Sequence, residues 1–337
     1  MIDVLIAGGG PAGLAAGIHA ARAGLRAVVV EPRTSPVDKA CGEGIMPGGV
    51  AALGAMGVDV PGRELRGIRY RDGTRDAEAL FRDGTGLGVR RTELHAALRR
   101  RAEALGVETV RGKVGEVWQG ADRVVAAGRT ARWLIAADGL HSPVRRGLGL
   151  DLPDRAPARY GLRRHFRVAP WSDFVEVHWS RHGEAYVTPV GDALVGVAVL
   201  SRERRGYAEH LAAFPELAPL LGERAASGVR GAGPLRQRVS RPLAGRVLLV
   251  GDAAGYVDAL TGEGVALALS TAGAAVRALA EGRPQTYPAA WAKLTRRHRV
   301  LTESLLGLTR SPRAARLIVP AAARLPTVFA AAVHALQ

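Results

Sequence analysis

The segment Gly8-Gly9-Gly10-Pro11-Ala12-Gly13 follows directly on the apolar run Val4 to Ala7 and opens an Ala-rich stretch, Pro11 to Ala23, which Gly24 ends. Few folds satisfy that order: a buried strand has to turn sharply into a helix, and the turn has to leave its backbone open to a ligand. Gly8 permits the tight turn, Gly10 lets backbone approach a pyrophosphate, and Gly13 lets the helix pack closely on the sheet. The helix beginning at Pro11 and Ala12 offers amide donors and a positive dipole at that point. Leu25 to Glu31 is a second apolar, β-branched run, and Glu31 closes it 18 residues after Gly13. A carboxylate there accepts hydrogen bonds from both ribose hydroxyls of an adenosine.

A chain of 337 residues that is 47% hydrophobic has enough apolar material for a packed core in one large domain or two interleaved ones. Its formal net charge is +16, and 44 of its 47 basic residues are arginines, since only Lys39, Lys113 and Lys293 are lysines. Two readings of that charge stay open: a compositional bias toward Arg at solvated positions, or a positive field that attracts nucleotide cofactors, an acidic carrier protein or a lipid surface. Nucleic acid is disfavoured, because the arginines are spread along the chain with no recognition module. Cys41 is the sole cysteine, which excludes a disulfide framework and fits a reducing compartment. The N-terminus reads as a strand and not as a signal peptide, so a cytoplasmic location is expected. His178 and His182 have the interval of a helical metal pair but lie in a strand-like pattern, and no metal site is expected. No Gly-x-Ser-x-Gly elbow supports a hydrolase.

Along the chain, residues 33–49 read as a long loop rich in Pro, Gly and charge, and Thr92 to Leu105 as an amphipathic helix. The strand Trp133 to Ala137 delivers Asp138 and Gly139 at its end. From Arg159 to Leu200 the pattern alternates, which predicts an inserted antiparallel sheet. Arg246 to Val250 is the last buried strand, Glu263 to Leu279 an Ala-rich helix, and Tyr287 to Gln337 helical with breaks at Pro312, Pro320 and Pro326. The resulting division is a discontinuous nucleotide-binding domain (1–158 and 241–285), a sheet insertion (159–240) and a C-terminal helical segment (286–337).

Ala137-Asp138-Gly139 and Gly251-Asp252-Ala253-Ala254-Gly255, standing after the first glycine motif, give the chain its resemblance to the FAD-dependent aromatic-hydroxylase superfamily. Over nearly its whole length it looks like the branch that includes geranylgeranyl reductases. The resemblance implies an α/β fold: a glutathione-reductase-type Rossmann FAD-binding domain with an inserted antiparallel β-sheet substrate domain and C-terminal helices. It also implies FAD as cofactor and NADPH or NADH as electron donor. Gly8, Gly10, Pro11, Ala12, Gly13 and Glu31 match the ADP-binding fingerprint. Arg91 matches the arginine set against the ribityl and pyrophosphate, with Arg90 leaving a one-residue ambiguity. Asp138 and Gly139 match the motif tied to FAD and donor access, and Gly251 and Asp252 the ribityl-binding motif. Gly262 and Gly264 would aim a helix N-terminus at the flavin, where the dipole favours the anionic reduced ring. Lys39-Ala40-Cys41-Gly42-Glu43-Gly44 is similar to the Lys-x-Cys-Gly segment of the reductase branch. Cys41 stands between two roles, a flavin-adjacent catalytic thiol and small packing material.

Three functions remain. The first is an NAD(P)H-dependent monooxygenase that hydroxylates a phenolic or polyketide-type molecule with O2 through a flavin C4a-hydroperoxide, its substrate lying near Trp179, Tyr186 and Pro189. No acid or base is assigned. The second is a geranylgeranyl reductase-like enzyme acting on C=C bonds of an isoprenoid or lipid. It draws on the Cys41 loop, on Gly255 where phenol hydroxylases usually have His, and on the arginine-spaced apolar tail from Arg310 to Leu336. That tail could rest peripherally on a membrane, although no part of it can span one. The last is a non-catalytic flavin carrier.

Overall fold

The computed structural model describes every residue except Arg155, Glu223, Arg224, Leu336 and Gln337, so the last residue of the apolar tail lies outside the described residues. The main sheet is built on five parallel strands in the order Val247–Leu249, Arg129–Ala136, Ile2–Ala7, Ala27–Glu31, Glu108–Arg111. Both faces of its central strands are covered, which is why Val4, Leu5 and Ile6 read as an unbroken apolar run without alternation. The helix Pro11–Arg22 packs between this sheet and the helix Gly264–Ala280. Glycine is required where these layers meet: Gly8 has φ +99°, and a Cβ on Gly13 would run into the Gly8 carbonyl oxygen.

The second sheet has seven strands, ordered Arg230–Ala232, Tyr160–Phe166, Leu194–Ser201, Gly183–Gly191, Phe174–Ser180, Gly67–Arg71, Asp76–Leu80. Two of them come from residues 67–80, inside the span the sequence reading gave to the nucleotide-binding domain. One pairing, Phe174–Ser180 with Gly67–Arg71, is parallel, because the two segments arrive from different excursions of the chain. The alternation in Phe174–Ser180 does not mark a solvated face, since Glu176 and His178 are buried and satisfied by Arg69, Trp171 and Glu216.

Two local expectations change. The loop expected over 33–49 ends early, giving the short strand Gly44–Ile45 and the helix Pro47–Ala55. The C-terminal prolines start helices: Pro312 and Pro326 are first residues of Pro312–Ala315 and Pro326–His334, and Pro320 sits in the first turn of Ile318–Arg324, where a missing N–H costs nothing. No single helix among the described residues is long and apolar enough to cross a membrane.

Candidate active site

A single cavity of about 770 Å³ runs from the first glycine turn, along the ends of the parallel strands, to the C-terminal helices. At its inner end Gly8, Gly10, Pro11 and Ala12 face Arg91, and the space between is open: a Cβ on Gly10 would meet nothing nearer than an Arg91 guanidinium nitrogen at 3.8 Å. Arg91 opens the helix Arg91–Ala104, is 9% exposed, and has no ion pair or guanidinium hydrogen bond among the described residues. Burial pulls its pKa below the usual arginine value. A buried cation with no partner, facing backbone amides at a helix N-terminus, is completed by an anion such as a pyrophosphate.

Glu31 accepts from the Gly9 amide at 2.7 Å and from Arg33 Nε at 2.7 Å. Burial works to raise its pKa, but the Arg33 and Gly9 hydrogen bonds outweigh that and hold the carboxyl low, so it is ionised and able to accept ribose hydroxyls. His95, which belongs to none of the glycine motifs, lies one turn beyond Arg91 on the same helix face and meets the Gly9 carbonyl at 3.0 Å. Burial, and then the Arg91 charge, lowers its pKa, so it stays neutral, Nε2 donates to that carbonyl, and no second cation crowds Arg91. The i, i+4 spacing of two polar residues on an inward face was the signal for it.

Two further motifs meet farther along. Asp138 and Gly139 line the cavity at the end of Arg129–Ala136, and the Asp138 Oδ2 accepts from the Val144 amide at 3.1 Å. Asp252 also lines it, 3.6 Å from Lys39 Nζ, and that ammonium would lie 3.4 Å from a Cβ on Gly139. Gly251 and Gly13 do not line the cavity; they are positions of close packing, and a Cβ on Gly251 would sit 2.9 Å from that of Ala12. The two motifs are tied by Arg145, fully buried, which donates to the carbonyls of Leu140 (2.9 Å) and Ala253 (3.1 Å) and pairs with Asp151. In the sequence Arg145-Arg146 looks like any solvated pair, and nothing local distinguishes it.

The Cys41 loop, residues 39–44, lines the same cavity. Glu43 has φ +62°, uncommon for a residue with a side chain, and is fixed there by its buried carboxylate, which accepts from the Arg91 amide at 2.8 Å and meets His165 Nε2 at 2.6 Å. Burial pushes the Cys41 thiol up, so it keeps its proton. Gly262 and Gly264 line the cavity too, at the start of Gly264–Ala280. Behind them Thr261 Oγ1 lies 3.1 Å from both His298 Nδ1 and Thr302 Oγ1, and His298 Nδ1 is 2.6 Å from Glu263 Oε2, so the helix Tyr287–Thr309 braces this turn. The cavity thus gathers an unpaired buried cation beside a helix N-terminus, an ionised carboxylate at the end of the second parallel strand, a further carboxylate at Asp252 and a glycine turn, a set that fits an extended FAD.

The sequence pattern of the FAD binding domain family matches residues 1–216. The protein is an FAD-dependent oxidoreductase of that family, the aromatic-hydroxylase superfamily. The flavoprotein is 30% identical to a menaquinone reductase of Mycolicibacterium smegmatis, over 99% of its own chain and 91% of that relative. It is also 30% identical to digeranylgeranylglycerophospholipid reductase 1 of Methanothermobacter thermautotrophicus, over 78% of this chain and 73% of the relative. Among solved structures it superposes on the flavin-dependent brominase Bmp2 with a TM-score of 0.83 at 17% identity, over 99% of this chain and 93% of that one, a likeness of fold.

Beyond the glycine turn the flavoprotein's cavity continues between the second sheet and the C-terminal helices, lined by Ile68, Val175, Val177, Leu305, Ile318 and Phe329. Of the three substrate-contact candidates Tyr186 lines it, its hydroxyl donating to the Leu260 carbonyl at 2.8 Å. Trp179 and Pro189 do not line it. Trp179 shares a strand face with Val175 and Val177 but is covered by Tyr70, whose ring centroid lies 5.3 Å away, and Pro189 is an odd number of residues from Tyr186 and so faces the other side of its strand.

Proposed function

We propose that this flavoprotein is a reductase that saturates a carbon–carbon double bond in the isoprenoid chain of a lipid. The observation that carries the reading is the far arm of the cavity, mainly apolar, with Ile68, Val175, Val177, Leu305 and Ile318 beside the rings of Tyr70 and Phe329, and bordered by Leu308, Leu325 and Val328, all three exposed. Hydroxylation of a phenolic or polyketide-type molecule is the first expectation from the motifs; the lining of Ile68, Val175, Val177, Leu305 and Ile318 favours an isoprenoid chain instead. The likeness to two reductases over most of the chain supports the same choice, since menaquinone and digeranylgeranylglycerophospholipid are both isoprenoid lipids.

In this reading Arg91 and the amides of Gly10 to Ala12 hold the pyrophosphate, Glu31 the adenosine ribose and Asp252 the ribityl hydroxyls. Bound FAD, once reduced by NADPH or NADH, supplies a hydride. Saturating a double bond takes one hydride and one proton, and the proton is held at Tyr256 Oη. That residue lines the cavity beside Gly264, and burial first, then the charges of Asp252 and Asp258, keep it protonated. The apolar arm excludes water and lays the chain alongside the ring site.

The test is anaerobic incubation of the holoenzyme with detergent-dispersed menaquinone or digeranylgeranylglycerophospholipid, using NADPH and, separately, dithionite. Gain of two hydrogens by the isoprenoid chain is expected, with Tyr256→Phe about 100-fold slower at full flavin content. Unchanged lipid under both reductants, or gain of an oxygen atom by a phenol in air, overturns the reading.

A further inference from the structure

The mouth of the cavity coincides with an unusual stretch of surface. Among the described residues twelve large hydrophobic side chains are exposed, and six of them (Leu294, Val300, Leu308, Leu317, Leu325 and Val328) fall within residues 294–328. Leu317, which caps the helix Ile318–Arg324, is 62% exposed and Val328 61%, each next in sequence to a cavity-lining or buried residue, Ile318 and Phe329. Charge follows the same boundary. Residues 304–337 contain four arginines and no acidic residue. Arg310, Arg313, Arg316 and Arg324 are exposed and make no ion pair among the described residues, whereas Arg236 at the edge of this region is matched by Asp154 and Glu303.

We propose that these C-terminal helices dock on the surface of an anionic phospholipid bilayer, so that an isoprenoid substrate passes from the bilayer into the cavity without crossing water. The docking rests on the reading of the cavity as a lipid site. Exposed leucines beside unpaired arginines match a bilayer in both respects, because the acyl boundary accepts the apolar side chains while the headgroups neutralise the guanidinium groups. A soluble acidic protein would account for the charge alone. The helices are short, and the segments Arg313–Arg324 and Pro326–His334 meet at 101°, so they form no straight span and can lay one apolar side each along an interface.

The experiment is co-sedimentation of the full-length, FAD-loaded protein with phosphatidylcholine vesicles, with and without phosphatidylglycerol. Pelleting with the anionic vesicles, weakened by salt, is expected. Arg313→Gln combined with Arg316→Gln lowers the partition about 30-fold, and Leu317→Gln lowers it as well, all at unchanged flavin content. No pelleting, pelleting indifferent to phosphatidylglycerol, or variants that bind like the parent protein each overturn the docking. Since vesicle binding is read without turnover, docking that fails while detergent-dispersed lipid is still reduced leaves the reductase standing. Vesicle binding with no reduction in detergent overturns the reductase alone.

Discussion

Arg91 is the buried cation of the cavity, and in the proposed function it holds the pyrophosphate. Its neighbours are arranged so as not to neutralise it: Glu43 spends its carboxylate on the Arg91 amide and on His165, and His95 is held uncharged. Replacing Arg91 with Met therefore removes the cation a pyrophosphate needs while relieving the protein of an unpaired buried charge. FAD affinity of the apoprotein, followed by flavin absorbance, is expected to fall about 30-fold with no loss of stability toward urea. Unchanged affinity would place the pyrophosphate elsewhere. That Gly8, Gly10 and Glu31 share one cavity was legible in the sequence, because the dinucleotide motif demands those residue types at fixed spacing, whereas Arg91 rested on a family resemblance that left Arg90 open. Arg145 and Glu43 were not legible, because their partners lie far off in the chain: Arg145 reaches Ala253 across 108 positions and Glu43 reaches His165 across 122.

Among the elements, the helix Tyr287–Thr309 could be read as a helix, but its task could not. It holds the 261–263 turn through His298 and Thr302, and those contacts depend on tertiary placement that periodicity does not encode. His298→Ala is expected to speed amide hydrogen exchange over residues 261–265 about tenfold in the holoenzyme, leaving Tyr287–Thr309 itself protected. Exchange at the parent rate would mean that the turn is held by its own glycine geometry. The helix Pro47–Ala55 was hidden for a different reason. Gly48, Gly49 and Gly54 argue against a helix by propensity, yet Gly49 is the price of close packing, since a Cβ there would stand 2.7 Å from Ile45 Cγ2 and 3.4 Å from Ala266 Cβ. Tertiary contact overrode local preference.

At the scale of the molecule, the cofactor cavity is walled by both sheets and by the C-terminal helices, so a ligand filling it adds contacts to parts already joined by an apolar cluster that includes Leu140, Val175, Leu260 and Ile318 and by ion pairs such as Arg163 with Asp38. Removing FAD is expected to lower the melting temperature. At free FAD one hundred times its dissociation constant the linkage is about 2.7 kcal/mol, or roughly 4 °C for a chain of this size, read by differential scanning calorimetry of apo and reconstituted protein. Equal melting temperatures would mean that the cavity does not hold the cofactor. The broad architecture was legible because the three glycine motifs fix where strands end. The membership of the second sheet was not, because Gly67–Arg71 and Asp76–Leu80 join it from the amino-terminal third by a parallel pairing with Phe174–Ser180. That shared sheet has a bearing on how relatives diversify. A transplant of residues 159–240 alone would arrive without its two edge partners, so recombination that trades one substrate chamber for another has to move two separate stretches of gene at once.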